Sequence, residues 1–253
     1  MRYTDLIFDL YGTLLDIRRE VTDTVWEKTA MLYGFYGAHY PPQQLKHGFE
    51  ASMALREAEL QQRTGCLPEV PMELAFSQLF RDRGIDKNAD ALGIQAAQLF
   101  RICAIEHLAL YPGVVEALSR LRSQGYRLWL LSNAQAVFTR YELSLVGLGD
   151  PFDGMYLSSE LGCRKPDPRF FRSLLEEQRL DPRHCLMIGN DRLTDIAGAQ
   201  AVGLDTLFLH TNLTPADQAP ANPLLRPDQN PEGHHFEWEG SNWREIAQLL
   251  SNL

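Results

Sequence analysis

At 253 residues, 45% of them hydrophobic and 23% charged, the chain has the make-up of a globular protein that can bury a proper core, either as one large domain or as a core plus a smaller unit. Its net charge of −9 disfavours nucleic acid as the main partner and leaves any anionic substrate dependent on a local positive site. No run approaches the roughly eighteen apolar residues of a membrane span. Residues 1–5 lead straight into a strand without a signal-like segment, and Cys66, Cys103, Cys163 and Cys185 lack ligand-like spacing. The expectation is a cytoplasmic protein with reduced thiols and no membrane partner.

The first apolar run is Leu6-Ile7-Phe8. After it, residues 17–106 carry no strand pattern and read as four helices, at 21–32, 42–62, 72–83 and 89–107, divided by Gly34, Pro41, Gly65, Pro68 and Gly84. An amphipathic helix at 112–124 opens with proline and stops at Gly125, and a second strand follows at 126–131. Further strands are expected at 155–157, 185–188 and 206–209, separated by helical patterns at 167–179 and 194–202. Residues 211–233, rich in Pro, Asn and Asp, read as an extended surface connection. An edge strand at 235–239 and a last helix at 241–250, capped by Ser241, complete the chain, which has no internal repeat. Buried runs alternating with helices predict an α/β fold: a Rossmann-like, doubly wound parallel sheet core (1–16 and 107–253) with an inserted all-helical cap domain (17–106) facing the active-site edge.

In such sheets ligands bind outside the carboxyl ends of the strands, so the strand-end residues are where chemistry is expected. The first strand runs into Asp9-Leu10-Tyr11-Gly12-Thr13, a carboxylate followed by a Gly-Thr turn that offers free backbone N–H groups. The second ends Leu131-Ser132-Asn133 and offers a hydroxyl at the same edge. Lys165 stands among two prolines in Cys163-Arg164-Lys165-Pro166-Asp167-Pro168. The fourth strand ends Ile188-Gly189-Asn190-Asp191, with Asp195 a helical turn later. Nucleophile, hydroxyl, cation and acidic pair make the set needed for displacement at an anionic centre.

These four elements, in this order, resemble the haloacid dehalogenase superfamily, and the position of the helical insertion is similar to the C1-type cap of its small-molecule phosphatases. The resemblance implies that Asp9 is the nucleophile of a hydrolase and forms a covalent aspartyl intermediate. It implies that the Tyr11 carbonyl faces Mg2+, and that Thr13, Ser132, the turn at Gly12 and the backbone at Asn133 hold phosphoryl oxygens. Lys165 would neutralise nucleophile and substrate together. Asn190 and Asp195 occupy the G-D-x-x-x-x-D register as metal ligands, with Asp191 as an adjacent candidate. Magnesium suits such an oxygen-only site and acts there as a Lewis acid. The implied partner is a small phosphorylated metabolite.

Two positions depart from the phosphatase pattern. Tyr11 stands where those enzymes carry a second aspartate as general acid and base, a group worth roughly 10²–10⁴-fold. Asn190 replaces the usual first acidic metal ligand and brings one negative charge fewer. The D-x-Y-G-T string is that of metal-independent 2-haloacid dehalogenases, which makes attack of Asp9 on a halide-bearing carbon the rival reading. Those enzymes resemble one another in a halide-receiving arginine, absent here from residues 36–40, and in a Ser-Ser-Asn-x-x-Asp fourth element, which this chain lacks. A third reading is a catalytically weak member that binds a ligand or partner.

Each residue also has a plain structural alternative. Asp9 and Ser132-Asn133 suit helix caps, Lys165 a solvated loop, and Asp191 and Asp195 the N-terminal charge of a helix. The Tyr11 hydroxyl is expected at the rim, facing the cap. His234-His235 reads as surface, and Tyr33, Phe35, Tyr36 and Tyr40 read as cap core. Asp16, Arg18 and Arg19 stand where the chain leaves for the cap, a position for a hinge or gate. The substrate's identity and the oligomeric state have no readable motif.

Overall fold

The computed structural model describes residues 2–216 and 234–253; most of the connection expected at 211–233 lies outside the described residues. The chain begins with β1 (Asp5–Phe8) and β2 (Leu15–Arg19), then four helices, α1 (Asp23–Phe35), α2 (Pro42–Thr64), α3 (Met72–Arg81) and α4 (Ala89–Ala104). It continues through β3 (Ile105–Leu110), α5 (Val114–Ser123), β4 (Arg127–Ser132), α6 (Ala136–Leu145), β5 (Gly154–Leu157) and the one-turn α7 (Ser158–Leu161). The last elements are α8 (Pro168–Glu177), β6 (Cys185–Gly189), α9 (Ala197–Gln200), β7 (Asp205–His210), β8 (His235–Glu239) and α10 (Trp243–Leu250).

Six strands pair in parallel in the order β5-β4-β1-β6-β7-β8. Side chains alternate across a strand, so β1 feeds both faces of the sheet. Leu6 and Phe8 enter a core completed by Leu118 of α5 and by Trp243 and Ile246 of α10. Ile7 points the other way, to Trp129, Leu131, Met187 and the α8 residues Phe170, Phe171 and Leu174. Each such side chain contributes roughly 1.5–3 kcal/mol by leaving water. Because β1 sits between β4 and β6, the residue that follows it, Asp9, leaves the sheet at its middle, flanked by the ends of both neighbours.

The four helices between β2 and β3 bury a core of their own. Trp26, Phe49, Phe76 and Phe100 cluster there, and Tyr33 stacks on Phe80 with centroids 3.9 Å apart. The aromatic residues expected in this core divide: Tyr33 is fully buried and Tyr40 packs beside it, whereas Phe35 is 82% exposed and Tyr36 is also exposed. An antiparallel ribbon of β2 and β3 connects this helical insertion to the sheet. The ribbon corrects the expectation of no strand in 17–106 and of a helix running to residue 107, since α4 stops at Ala104. The last helix is capped by Asn242, whose side chain accepts from the Arg244 N–H, and not by Ser241. Among the described residues no helix is long and apolar enough to cross a membrane.

Candidate active site

The backbone N–H of Asp9 still donates to Ile188 O (2.9 Å), after which the chain turns sharply: Leu10 O accepts from Leu14 (2.8 Å) and Leu15 (2.9 Å). Gly12 makes this turn at φ +87°, and a Cβ there would come within 2.4–2.7 Å of the Asn190 side chain. Glycine is therefore required both by the backbone angle and by the close approach. The turn brings Thr13 back over the strand end, so that Thr13 Oγ1 donates to Asp9 Oδ2 at 3.1 Å. Ser132, at the end of β4, donates to Asp9 Oδ1 at 3.1 Å.

Lys165 is the centre of charge. Its Nζ donates to Asp9 Oδ1 (2.7 Å), Asp195 Oδ1 (2.6 Å) and Leu131 O (2.8 Å), which uses all three protons of a side chain 1% exposed. Asn133 fixes the loop that carries it: Oδ1 accepts the Lys165 N–H (2.8 Å) and Nδ2 donates to Lys165 O (3.1 Å). Asp195 arrives on a widened turn, Arg192–Ile196, in which Asp191 O accepts from both Asp195 N and Ile196 N. This turn replaces the regular helix expected over 194–202, of which α9 is a short remnant. A Cβ on Gly189 would lie 2.3–2.5 Å from the Asp195 side chain, so this approach too needs glycine.

Two carboxylates meet one ammonium in this buried cluster, so acidic groups outnumber cations. Burial pulls the Lys165 ammonium down, yet Asp195 and Asp9 together hold it above its ordinary value. Asp195 is also raised, to about 7: burial raises it most, Lys165 lowers it and Asp9 raises it again. The lysine's two partners outweigh its burial, whereas burial together with Asp9 outweighs the single partner of Asp195, so both move upward.

Thr13 Oγ1 stands 3.1 Å from Asp9 Oδ2 and 3.2 Å from Asn190 Oδ1. One hydroxyl proton cannot satisfy two acceptors, and the surplus oxygen capacity beside a cluster whose acidic groups outnumber its cations fits a hard cation. Among the described residues no three His, Cys, Asp or Glu side chains gather as a ready-made metal cluster, so Asp9, Asp191 and Asp195 do not converge as the expected ligand set. Asp191 points elsewhere, its Oδ1 accepting the N–H groups of Leu193 and Thr194 as the cap of the turn.

Tyr11 differs from expectation. Its hydroxyl turns into the core and donates to Glu142 Oε2 of α6 (2.6 Å), with Thr139 Oγ1 at 3.1 Å. Arg101 descends from α4 onto the same carboxylate, with bonds of 2.6 and 3.0 Å, and both charged side chains are under 10% exposed. Burial, and then the Glu142 charge, push the Tyr11 hydroxyl well above its usual range. This clasp between insertion and core was not foreseen, because nothing local in sequence pairs residue 11 with 101 and 142. Nor do Ser132 and Asn133 cap α6. Its first turns are served from across the loop, where Ser158 and Ser159 hydroxyls accept the Ala134 and Ala136 N–H groups. His235 packs on Thr206 and Glu237 at the sheet edge.

Between the insertion and the strand ends lies a cavity of ≈ 670 Å³, reaching Lys165 and Asn133 at its floor and bounded by Phe49, Met53, Phe100 and Phe138.

A parallel sheet that gathers a carboxylate, a buried lysine and two hydroxyls at its strand ends defines an α/β core with a strand-end site. A protein-family model described as haloacid dehalogenase-like hydrolase matches residues 6–203, and the chain belongs to that family. It is 32% identical over 108 residues to glyceraldehyde 3-phosphate phosphatase of Methanothermobacter thermautotrophicus, covering 43% of this chain and 48% of that one. It is 28% identical over 208 residues to phosphoglycolate phosphatase of Rhodospirillum rubrum, covering 81% and 78%. The chain thus spans about half the length of the first of these relatives. Its fold is shared by the crystal structure of 2-haloacid dehalogenase from Pseudomonas syringae, with TM-score 0.64 at 20% identity and 99% of each chain covered.

Proposed function

We propose that this protein is a Mg2+-dependent phosphatase of small phosphorylated metabolites, working through an aspartyl-phosphate intermediate on Asp9. The observation that carries the reading is the convergence of Lys165, Ser132 and Thr13 on one strand-end carboxylate, with Lys165 itself lining the cavity. Asp9 Oδ2, with a single shared hydroxyl, is the oxygen that attacks phosphorus. Lys165 holds the other oxygen and offsets charge as the ester enters, and the hydroxyls of Ser132 and Thr13 with the backbone at Gly12 and Asn133 receive the phosphoryl oxygens. Water then releases phosphate and restores Asp9. Asp9, Asn190, Asp195 and the Tyr11 carbonyl would hold the magnesium, with Asp191 adjacent, and the ion supplies Lewis-acid stabilisation of the transferring group. The helical insertion, residues 17–106, serves as a C1-type cap over a core of 1–16 and 107–253. The phosphatase names of its relatives support this assignment. The net charge of −9 and the free cysteines agree with a cytoplasmic place and a small-molecule partner.

Tyr11 and Asn190 favour one second reading, metal-free hydrolysis of a carbon–halogen bond by Asp9. The deciding experiment sets a phosphate-ester panel, with magnesium and with chelator, beside halide release from 2-chloropropionate. Magnesium-dependent phosphate release that falls roughly 10³-fold or more in Asp9→Asn supports the phosphatase. Halide release indifferent to chelator replaces it with the second reading. Silence in both from folded protein leaves a ligand-binding member.

A further inference from the structure

The groups lining the cavity carry the phosphatase reading one step further, to the substrate's leaving group. Nearly every polar side chain there is already engaged. The Tyr11 hydroxyl and the Arg101 guanidinium are spent on Glu142. Both ends of the Asn133 amide are spent on Lys165. Gln135 donates to Glu69 (2.6 Å) and Val70 O (3.1 Å) and accepts the Met72 N–H (2.9 Å), while Arg164 leans towards Glu69 at 3.7 Å. A polyhydroxylated leaving group would bury several hydroxyls with few free groups, chiefly Thr194 and Arg19, to receive them, which is costly. What the cavity offers instead is a wall of Phe49, Met53, Met72, Phe100 and Phe138. That wall is preformed: Phe49 and Phe100 lie nearly parallel at 6.1 Å, and Trp26 backs Phe100 at 4.8 Å.

Two more features narrow the class. The lining presents no ready acid: the Tyr11 hydroxyl is donated away from the cavity into α6, Glu69 is held by Gln135 and Arg164, and the hydroxyl of Thr194 and the guanidinium of Arg19 are too weakly acidic to give up a proton. The leaving oxygen must therefore depart as an anion. At the cavity's edge, Arg19 of β2 is exposed and makes no ion pair or hydrogen bond among the described residues.

We infer that the site takes a phosphate monoester of a phenol whose far end carries a carboxylate, the ring against the Phe49–Phe100 wall and the carboxylate at Arg19. This rests on the phosphatase reading above. Asp9 forms a bond to phosphorus as the bond from phosphorus to the phenolic oxygen breaks, and the electron pair leaves on a phenolate. A phenol has a pKa of about 10, so the phenolate leaves without an acid and takes its proton from water. Water then cleaves the aspartyl phosphate to inorganic phosphate.

Calorimetric binding to Asp9→Asn protein with magnesium separates this inference from turnover. Phenyl phosphate should bind roughly tenfold more tightly than glucose 6-phosphate. Adding a 4-carboxylate should gain about threefold more, a gain lost in high salt and in the further variant Arg19→Met. Met53→Ala, at a half-exposed position that tolerates truncation, should weaken the aryl ester roughly threefold and leave the sugar ester unmoved, as should Phe100→Leu where it folds. A sugar ester bound as well as the aryl ester, a variant that weakens both alike, or no binding of any ester overturns the inference. Failure of wild-type protein to release phosphate from any ester, acetyl phosphate included, sinks the phosphatase reading instead, while the binding order still decides this one.

Discussion

Two buried ionic clusters lie on either side of the segment 9–13, and they are built to opposite rules. Around Lys165 two carboxylates share one ammonium, cations are outnumbered, and the cluster meets a cavity at Lys165. Around Arg101 one guanidinium meets one carboxylate twice, a phenol completes the carboxylate's shell, and the charges cancel. A buried ion pair seldom contributes net stability over an apolar pair of similar volume, so the two clusters call for different explanations. The balanced one ties a helix of the insertion to a helix of the core in one register. The unbalanced one leaves the Asp9 carboxylate at a strand end sharing its one cation with Asp195, an arrangement that a further cation could complete. Charge imbalance, more than burial, separates the strand-end cluster from the clasp.

Substitutions that strand charge test this most severely. Arg101→Met leaves Glu142 buried without its counter-ion and is expected to cost about 3–5 kcal/mol in urea unfolding. Because that cluster is balanced, Arg101→Met with Glu142→Leu should recover most of the loss, a large coupling in a double-mutant cycle. Lys165→Met should cost at least as much, yet Asp195→Asn should restore it only in part, because Asp9 remains buried without a cation. Equal rescue at both sites would erase the distinction drawn between them.

The same contrast explains what the sequence could reveal. Asp9, Gly12, Thr13, Ser132, Lys165 and Asp195 were legible because strand ends in a parallel sheet impose local strings: a carboxylate after a buried run, or a glycine where a side chain must pass. The clasp joins Tyr11 to Glu142 across 131 positions and Arg101 to Glu142 across 41, with no pattern around any of the three. The β2–β3 ribbon was hidden for another reason. Arg18, Arg19, Glu106 and His107 are exposed, so the ribbon lacks the buried alternation that marks a strand, and Ala89–Ala104 runs into it as though the helix continued. The insertion was legible in extent but not in detail, since a helical pattern separates core from surface imperfectly, as the exposed Phe35 shows.

A gentler probe is the hydroxyl of Tyr11. Tyr11→Phe keeps the ring beneath Arg101 and removes one donor from a buried, ionised acceptor, a loss expected to cost about 1.5–3 kcal/mol. In the Glu142→Leu background the same change should cost far less. If it costs the same in both, the hydroxyl does not serve the clasp.

The smallest effect is expected where burial is only partial. Glu237 of β8 receives His210 (2.9 Å), Arg192 (2.8 Å) and His235 (3.2 Å) with its side chain 37% exposed. Burial alone would raise this carboxyl, but those hydrogen bonds outweigh it and hold the group at about 2, below its ordinary 4.5. A carboxyl depressed by folding contributes stability that is present above the ordinary value and is lost as pH falls from about 4.5 towards 2. After solvent screening this is worth no more than about 1 kcal/mol. Urea unfolding of wild type and Glu237→Gln should therefore differ by that amount at pH 6 and converge as the pH is lowered through this window. A gap that persists undiminished at pH 2 would mean that the side chain acts through packing at the sheet edge and not through its charge. Exposure would then have weakened the electrostatics of this third cluster more than its hydrogen bonds suggest, and burial would have to be restored beside charge balance as the property that sets such clusters apart.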